Sequence, residues 1–444
     1  MHEPPTEERP TRIRWLIVLM LMGFTIQGHF NRVSISVAGN ERFTGPQGMS
    51  KEQMGFVYSA FLLVYTIGML PGGWVIDRLG PRRALTGMGL GLGFCVALTG
   101  ALGWLGLSVA ALWLPLILIR GMAGATSAPL HPGAARCVSL WVPLSSRATA
   151  NGLVTTGALL GIAACYPGFG WLMDQLGWPL AFVVCGAALM LFAMVWSQLA
   201  TDDAASHPWA NSAEKTLALD GASPSPRAPA TVGDFFSLFR NRGLVLLTLS
   251  YAFLSYFQYL FFYWIEHYFE KELELPVKES RQAAFTVTMA MAIGMTAGGV
   301  CSDWLCRHVG RRRGYRGVAV AGMSLSALFA WAGISATDPD QVVALFSLAL
   351  GSLGLCEGIF WTTAPLLERK HGGLACAFLN TIGNAGGLLA PVCTPWIGDH
   401  FGWIAAIAVA CIVCGLGAVF WLWIDPDAVY DSSRESPEPT PVEL

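Results

Sequence analysis

The stretch Gly72-Gly73-Trp74-Val75-Ile76-Asp77-Arg78-Leu79-Gly80-Pro81-Arg82-Arg83 closes a long apolar run with a glycine pair, an acid and a cluster of arginines. It returns later in the chain. Gly72 and Gly298, Gly73 and Gly299, and Asp77 and Asp303 are each 226 positions apart, and Arg307 and Arg311 to Arg313 follow the second copy. A second pair repeats at a spacing of 225: Trp171, Asp174, Gly177 and Trp178 against Trp396, Asp399, Gly402 and Trp403. Two independent pairs at spacings one residue apart, about half of the 444 residues, mark a tandem duplication.

Composition narrows the class. Hydrophobic residues make up 54% of the chain and charged residues 13%, and mean hydropathy is +0.52. A soluble domain carries about 25% charged residues, so this chain lacks the polar surface its length would need in water. The formal net charge of −2 gives no sign of a nucleic-acid partner. The cysteines are scattered through apolar segments, and even Cys411 and Cys414 stand inside a hydrophobic run with no second pair. They read as small core residues, not as a metal or disulfide site. No cofactor is implied. The N-terminus, with Glu3, Glu7, Glu8 and Arg9 before the first apolar run, does not fit a cleavable signal peptide.

Hydrophobic stretches long enough to span a bilayer fall near 14–38, 53–76, 84–106, 109–131, 147–172, 178–199, 243–268, 283–303, 317–335, 341–366, 373–398 and 402–424. The expected fold is an all-α membrane protein of twelve transmembrane helices in two pseudo-symmetric six-helix bundles, residues 1–200 and 241–425. Residues 201–240, with Asp202, Asp203, Pro224, Pro226 and Pro229, read as a linker. Residues 426–444 read as an acidic, Pro-rich, disordered tail. With both termini cytoplasmic, only Arg42, Lys51, Lys271, Lys278 and Arg281 fall outside. The remaining Lys and Arg, apart from Arg32 and Arg120 within spans, lie in or beside cytoplasmic segments, which is a positive-inside bias. In a membrane protein, a two-half repeat marks a transporter with a central site.

The spans, the linker and Gly72-Gly73-x-x-x-Asp77-Arg78-x-Gly80-x-Arg82-Arg83 resemble the major facilitator superfamily. Within it the chain is similar to the anion:cation symporter branch, which includes hexuronate, galactonate and phthalate permeases and vesicular glutamate and sialic acid carriers. Asn31-Arg32-Val33-Ser34-Ile35-Ser36-Val37-Ala38, Tyr58-Ser59-Ala60-Phe61 with Tyr65, Arg120-Gly121 with Ala128-Pro129, and Gly383-Asn384-x-Gly386-Gly387 with Pro391 carry that likeness. The resemblance implies a monomeric carrier of a small organic anion, a monocarboxylate or sugar acid, in a plasma or cell inner membrane. It also implies that Arg32 and Arg120 line the substrate cavity.

The residues themselves agree. An arginine at membrane depth costs about 2.5–3.5 kcal/mol on insertion scales, and its planar fork matches a carboxylate bidentately. His29 shares a helix face with Arg32, while Arg120, Ser127 and His131 share another. His29 is a candidate for substrate or proton; His131, between Pro129 and Pro132, reads first as a gate or packing residue. Tyr65, Gln258, Asn380 and Asn384 offer neutral partners for hydroxyls, and Trp361 shares a face with Glu357. Glu357, an acid inside a span, reads as a proton carrier or as a counter-ion for the arginines.

Two departures from the family bear on coupling. Asn31 and Ser127 stand where proton-coupled relatives carry acids, and Met69 stands where a glutamine is common. Relocation of the proton to Glu357 or a histidine, coupling to sodium, and uncoupled exchange all remain open. Asp77 is expected to cap a helix across the interface or pair with an arginine, and so to gate. Arg78, Arg82, Arg83 and Asp303 belong to the same gating group, with part of the arginine cluster serving topology. The alternatives are an organophosphate exchanger and a non-transporting sensor. No span carries a nucleophile with a base or metal ligands at recognisable spacing, so an enzyme is not expected.

Overall fold

The computed structural model describes residues 9–43, 48–49, 51–219, 232–368 and 371–428, and these are almost entirely helical. The first part of the chain forms α1 (Ile13–Ala38), α2 (Lys51–Leu79), α3 (Pro81–Ala101), α4 (Trp113–Ser127), α5 (Leu130–Trp141) and α6 (Arg147–Leu199). Two short helices follow, α7 (Ser212–Ala218) and α8 (Val232–Leu238). The second part forms α9 (Arg242–Lys271), α10 (Val277–Val309), α11 (Arg311–Ser335), α12 (Pro339–Leu367), α13 (Gly372–Phe401) and α14 (Trp403–Phe420). Among the described residues eleven stretches are long and apolar enough to cross a membrane, and α2, bent by 52° between Met69 and Pro71, makes a twelfth.

Proline and glycine decide where the helices bend. Pro71 lies inside α2, where it removes one backbone bond and crowds the preceding turn. The fourth span breaks between α4 and α5 at Ala128 and Pro129, and this break nests against the bend of α2. A Cβ on Gly72 would stand 3.3 Å from the Ala128 carbonyl carbon and the Pro129 nitrogen. Gly80 (φ 82°) and Gly310 (φ 83°) turn α2 into α3 and α10 into α11, while Gly177 (φ 76°) and Gly402 (φ 87°) turn the fifth span into the sixth and α13 into α14. Side chains strain at such φ values. The same unusual turns at corresponding places are the backbone form of the repeat.

Buried apolar residues fall into two clusters. One runs from Ile17 to Ala218; the other runs from Leu238 to Ile424 and takes in Ala135, Leu144, Ala148 and Leu159 of the first half. Outward-facing apolar side chains such as Ile67 (66% exposed) and Ile293 (70% exposed) would be unstable in water but suit lipid.

Several details differ from the sequence expectation. The fourth span does not stop near 131 but continues as α5 to Trp141. Pro132 sits in the first turn of α5, where its missing N–H is not needed. Arg147, counted as a topology charge, is buried; its guanidinium donates to Ser139 O (2.9 Å) and Val142 O (3.0 and 3.2 Å). It thereby satisfies carbonyls that the end of α5 leaves open. The linker is built into the bundle on the motif end. Buried Glu214 of α7 accepts from the backbone N–H of Arg12 and Arg14 and pairs with the Arg14 guanidinium at 2.7 Å. Phe235 of α8 and Phe239 just after it pack on Phe378 of α13. Residues 220–231 and the tail from 429 onward lie outside the described residues. Asp425 and Asp427, just before that tail, pair with Arg312 and Arg311, so the last described residues meet the arginine-rich end of the bundle.

Candidate functional site

The repeated glycine-pair motif divides its labour. In each copy the first glycine packs within its own half: Gly72 against Ala128 and Pro129, Gly298 against the Leu355 backbone. The second packs across halves: Gly73 meets Ala377, Gly373 and Leu374 of α13, and Gly299 meets Ala148 and Thr149 of α6. The acid one turn on then caps the helix just reached. Asp77 accepts from the backbone N–H of Gly373 and Leu374, both at 2.9 Å. Asp303 accepts from Ala148 (3.2 Å) and Thr149 (2.7 Å). Each carboxylate faces the positive end of a helix dipole and satisfies two orphan donors. Arg307 donates to Ser145 O at 2.9 Å, Asn151 to Thr362 at 2.9 Å, and Thr156 lies 2.9 Å from Thr296. The structure is closed at this end.

The arginines of the motif act differently. Arg82 reaches Ser197 O through two guanidinium nitrogens, and its backbone N–H donates to Asp202. These contacts brace the first half internally and do not cross to the second. Arg78 lies over the Trp74 ring at 5.0 Å. Arg83 is exposed.

Above the closed end, the two membrane arginines converge. The Arg120 guanidinium carbon lies 4.6 Å from the Phe61 ring centre, and that of Arg32 lies 5.2 Å from Phe61 and 5.4 Å from Tyr65. Phe61 and Tyr65 stack on each other at 5.7 Å. Arg120 is 5% exposed and donates through Nη2 to Arg32 O at 3.1 Å, while its Nε has no partner. Among the described residues neither arginine pairs with a carboxylate, so aromatic faces are their main protein company.

The facing wall comes from the second half. Tyr259 donates to Asn384 Oδ1 (3.0 Å), and Asn384 Nδ2 donates to both Asn380 O and Asn380 Oδ1 (2.7 Å each). Asn380 is 4% exposed, yet its Nδ2 has no acceptor. Tyr65 of the first half and Tyr259, Tyr263 and Asn384 of the second are among the residues lining a small cavity between the halves. Gln258 is half-buried on α9, and no neighbour fixes a role for it.

Between this cavity and the closed end lies a chain of contacts that sequence spacing did not reveal. His29, held by Thr25 O at 3.1 Å, meets His131 edge-on at 5.2 Å. His131 stacks on Trp361 at 5.6 Å and 27°. The Trp361 indole N–H donates to Glu357 Oε1 at 3.1 Å, and the Tyr251 hydroxyl donates to the same oxygen at 2.6 Å. Glu357 is 5% exposed, and its Oε2 has no donor. The carboxylate is thus held by neutral donors and does not act as counter-ion to either arginine in this state. Among the described residues, the Asn31 and Ser127 side chains, which take the places of acids, donate within their own helices, to Gln27 O and Ala123 O.

Comparison with known proteins places the arrangement. A family model described as Major Facilitator Superfamily matches residues 13–368 and 363–444. The chain is similar to a probable galactarate/D-glucarate transporter of Bacillus subtilis, 27% identical over 427 residues with 91% of each chain covered. It is also similar to a D-galactonate transporter of Escherichia coli, 25% identical with 96% of this chain and 99% of that one covered. A third relative is a probable sulfoacetate transporter of Cupriavidus necator, 27% identical with 96% of each covered. Among solved structures, a proton:xylose symporter superimposes with a TM-score of 0.70 at 14% identity, covering 93% of this chain and 96% of that one. The Escherichia coli fucose:proton symporter matches with a TM-score of 0.70 at 16% identity, covering 93% and 98%; at such identities these two establish the fold.

A Cβ on Gly299 would collide with the Ala148 and Thr149 backbone. Gly299→Val is therefore expected to keep each half folded while opening the motif end. Hydrogen exchange should rise at the Ala148 and Thr149 amides that Asp303 caps; unchanged exchange there would remove the glycine from the closure.

Proposed function

We propose, from the premise that the chain belongs to the Major Facilitator Superfamily, that it is a secondary carrier of a small organic anion, a carboxylate or sugar acid, working by alternating access. The observation that carries this reading is the pair of guanidinium groups without a carboxylate partner among the described residues, one of them with a buried, unpartnered Nε. An anionic group between Arg32 and Arg120 supplies the missing acceptor and offsets the cost of both charges at depth. Asn380, with its unpartnered amide, and Asn384, Tyr65 and Tyr259 suit the hydroxyls of a polyol acid on the opposite side. The names of the relatives, transporters of galactarate or D-glucarate, D-galactonate and sulfoacetate, support an organic anion as cargo. Trp361 and His29, joined through His131, are read as the floor of the site.

The working cycle follows from where the halves touch. Residues 1–200 and 241–425 act as the two moving bodies, with the motif end and both termini facing the cytoplasm of a cell inner membrane. Asp77 and Asp303 hold that end shut by capping α13 and α6 across the interface. Rocking that releases both caps opens the cavity inward, and the carrier needs no cofactor or covalent step. Arg78 and Arg83 act mainly as topology charges, and Arg82 as a brace of the first half.

Coupling is assigned to the proton, with Glu357 as its site. It is a buried acid inside a span with one carboxylate oxygen free of donors, and the usual acid positions hold Asn31 and Ser127.

In reconstituted liposomes, Arg32→Ala and Arg120→Ala should each lower D-galactonate uptake by at least about ten-fold, and lysine at either position should rescue poorly because the planar fork is lost. Uptake at the wild-type rate in either alanine variant would refute the two-arginine site.

With Glu357→Gln, an imposed pH gradient should no longer drive accumulation, while exchange of internal for external substrate continues. Proton-driven accumulation that survives this substitution assigns the proton elsewhere, with His29 the next candidate.

A further inference from the structure

The only aromatic stack between the halves among the rings described above is His131 on Trp361. It lies on the closed-end side of the arginines: on the fourth span His131 follows Arg120 as the chain runs toward the motif end, and on α12 Trp361 follows Glu357 in the same direction. The stack is therefore part of the floor that must part when the motif end opens. One of its members also determines the surroundings of Glu357, because the plane of the indole sets where its N–H points, and that N–H donates to Glu357 Oε1.

We propose that the His131–Trp361 stack is the joint through which protonation of Glu357 controls opening of the motif end, with His131 as a positioning residue. This rests on Glu357 being the proton site. In the closed state the carboxylate takes charge-assisted bonds from Trp361 and Tyr251, and such bonds are stronger than neutral ones. The bond to Trp361 holds the indole flat against His131, and offset ring pairs at this separation are attractive. A proton from cavity water forms an O–H bond at Oε2, the oxygen without a donor. The neutral acid then accepts more weakly from the indole, Trp361 is free to turn, and the stack loses its fixed partner. After the floor opens, the proton leaves to water on the other side. Linkage makes the relation reciprocal: whatever breaks the stack also raises the affinity of Glu357 for its proton.

The groups facing Glu357 are consistent with this division. Tyr251 and Tyr259 approach from α9, Cys356 and Trp361 belong to its own helix, and His131 stands behind the indole. Arg32 is within electrostatic reach of Tyr259 and both histidines, so an anion arriving at Arg32 alters the field at the floor. His131 contributes its ring as a stacking surface and needs no change of charge.

The test uses the full-length, substrate-free protein in lipid nanodiscs at one pH. Exchange is read at the amides of Ala148, Thr149, Gly373 and Leu374, which Asp303 and Asp77 cap only while the end is closed. Glu357→Gln, which mimics the neutral acid, and His131→Ala should each raise exchange by about five-fold, and His131→Phe, which keeps a stacking ring, should stay within about two-fold of wild type. The double variant Glu357→Gln/His131→Ala should exceed neither single one, because both act on the same joint. A merely structural role for His131, independent of the acid, would make the two substitutions additive in the double variant and would overturn the proposal. Wild-type exchange in His131→Ala, or equal exchange in the alanine and phenylalanine variants, overturns the proposal. Raised exchange in His131→Ala with no change in Glu357→Gln also overturns it, by breaking the link to the acid. The liposome assay of Glu357→Gln judges the proton site independently, and the arginine variants judge anion binding.

Discussion

Two guanidinium groups stand deep in an apolar bundle with no carboxylate among the described residues to neutralise them, and much of the local architecture answers that constraint. Phe61 offers its ring to both, Tyr65 extends the stack, and the Arg32 carbonyl takes one Arg120 donor. None of these contacts cancels the charge. An isolated charge in a low-dielectric interior needs either a pair or water, and that is the need the proposed anion meets. The second half presents neutral groups there: a tyrosine and two asparagines in a directed hydrogen-bond chain ending in one unused amide.

Closure at the motif end uses one device twice. A glycine lets two helices of one half touch, the next lets the halves touch, and an aspartate one turn later caps the helix so reached. Each part depends on the others: without the glycines the backbone amides could not come within reach of Asp77 and Asp303. Because Asp77 and Asp303 satisfy four N–H groups in this arrangement, the device favours one state without locking it, since water can replace the carboxylates when the end opens.

The repeat, the span count and the two arginines within spans were legible in the sequence for physical reasons. Membrane burial writes long apolar runs, tight turns demand glycine, and an arginine at depth is too costly to be incidental. The contacts that were not legible are those between residues distant in sequence. Arg147 looked like a topology charge because nothing local indicates that the end of α5 leaves carbonyls in its reach. Arg82 was grouped with the gate, yet Ser197, more than a hundred residues away, claims it for the first half. Glu214 gave no signal at all, since its donors are at the far N-terminus. His131 was read as a gate or packing residue, but its stacking on Trp361 depends on how the halves dock. Glu357 was identified as a buried acid, while its dependence on Tyr251 and not on the arginines became evident only from the packing of α9 on α12.

The most direct test of the central claim is calorimetric titration of the purified protein with D-galactonate and with its uncharged amide, in the wild type and in Arg120→Ala. The account predicts that the acid binds the wild type, that the amide binds far more weakly, and that Arg120→Ala loses the acid. Equal binding of acid and amide, or undiminished binding of the acid by Arg120→Ala, would contradict it.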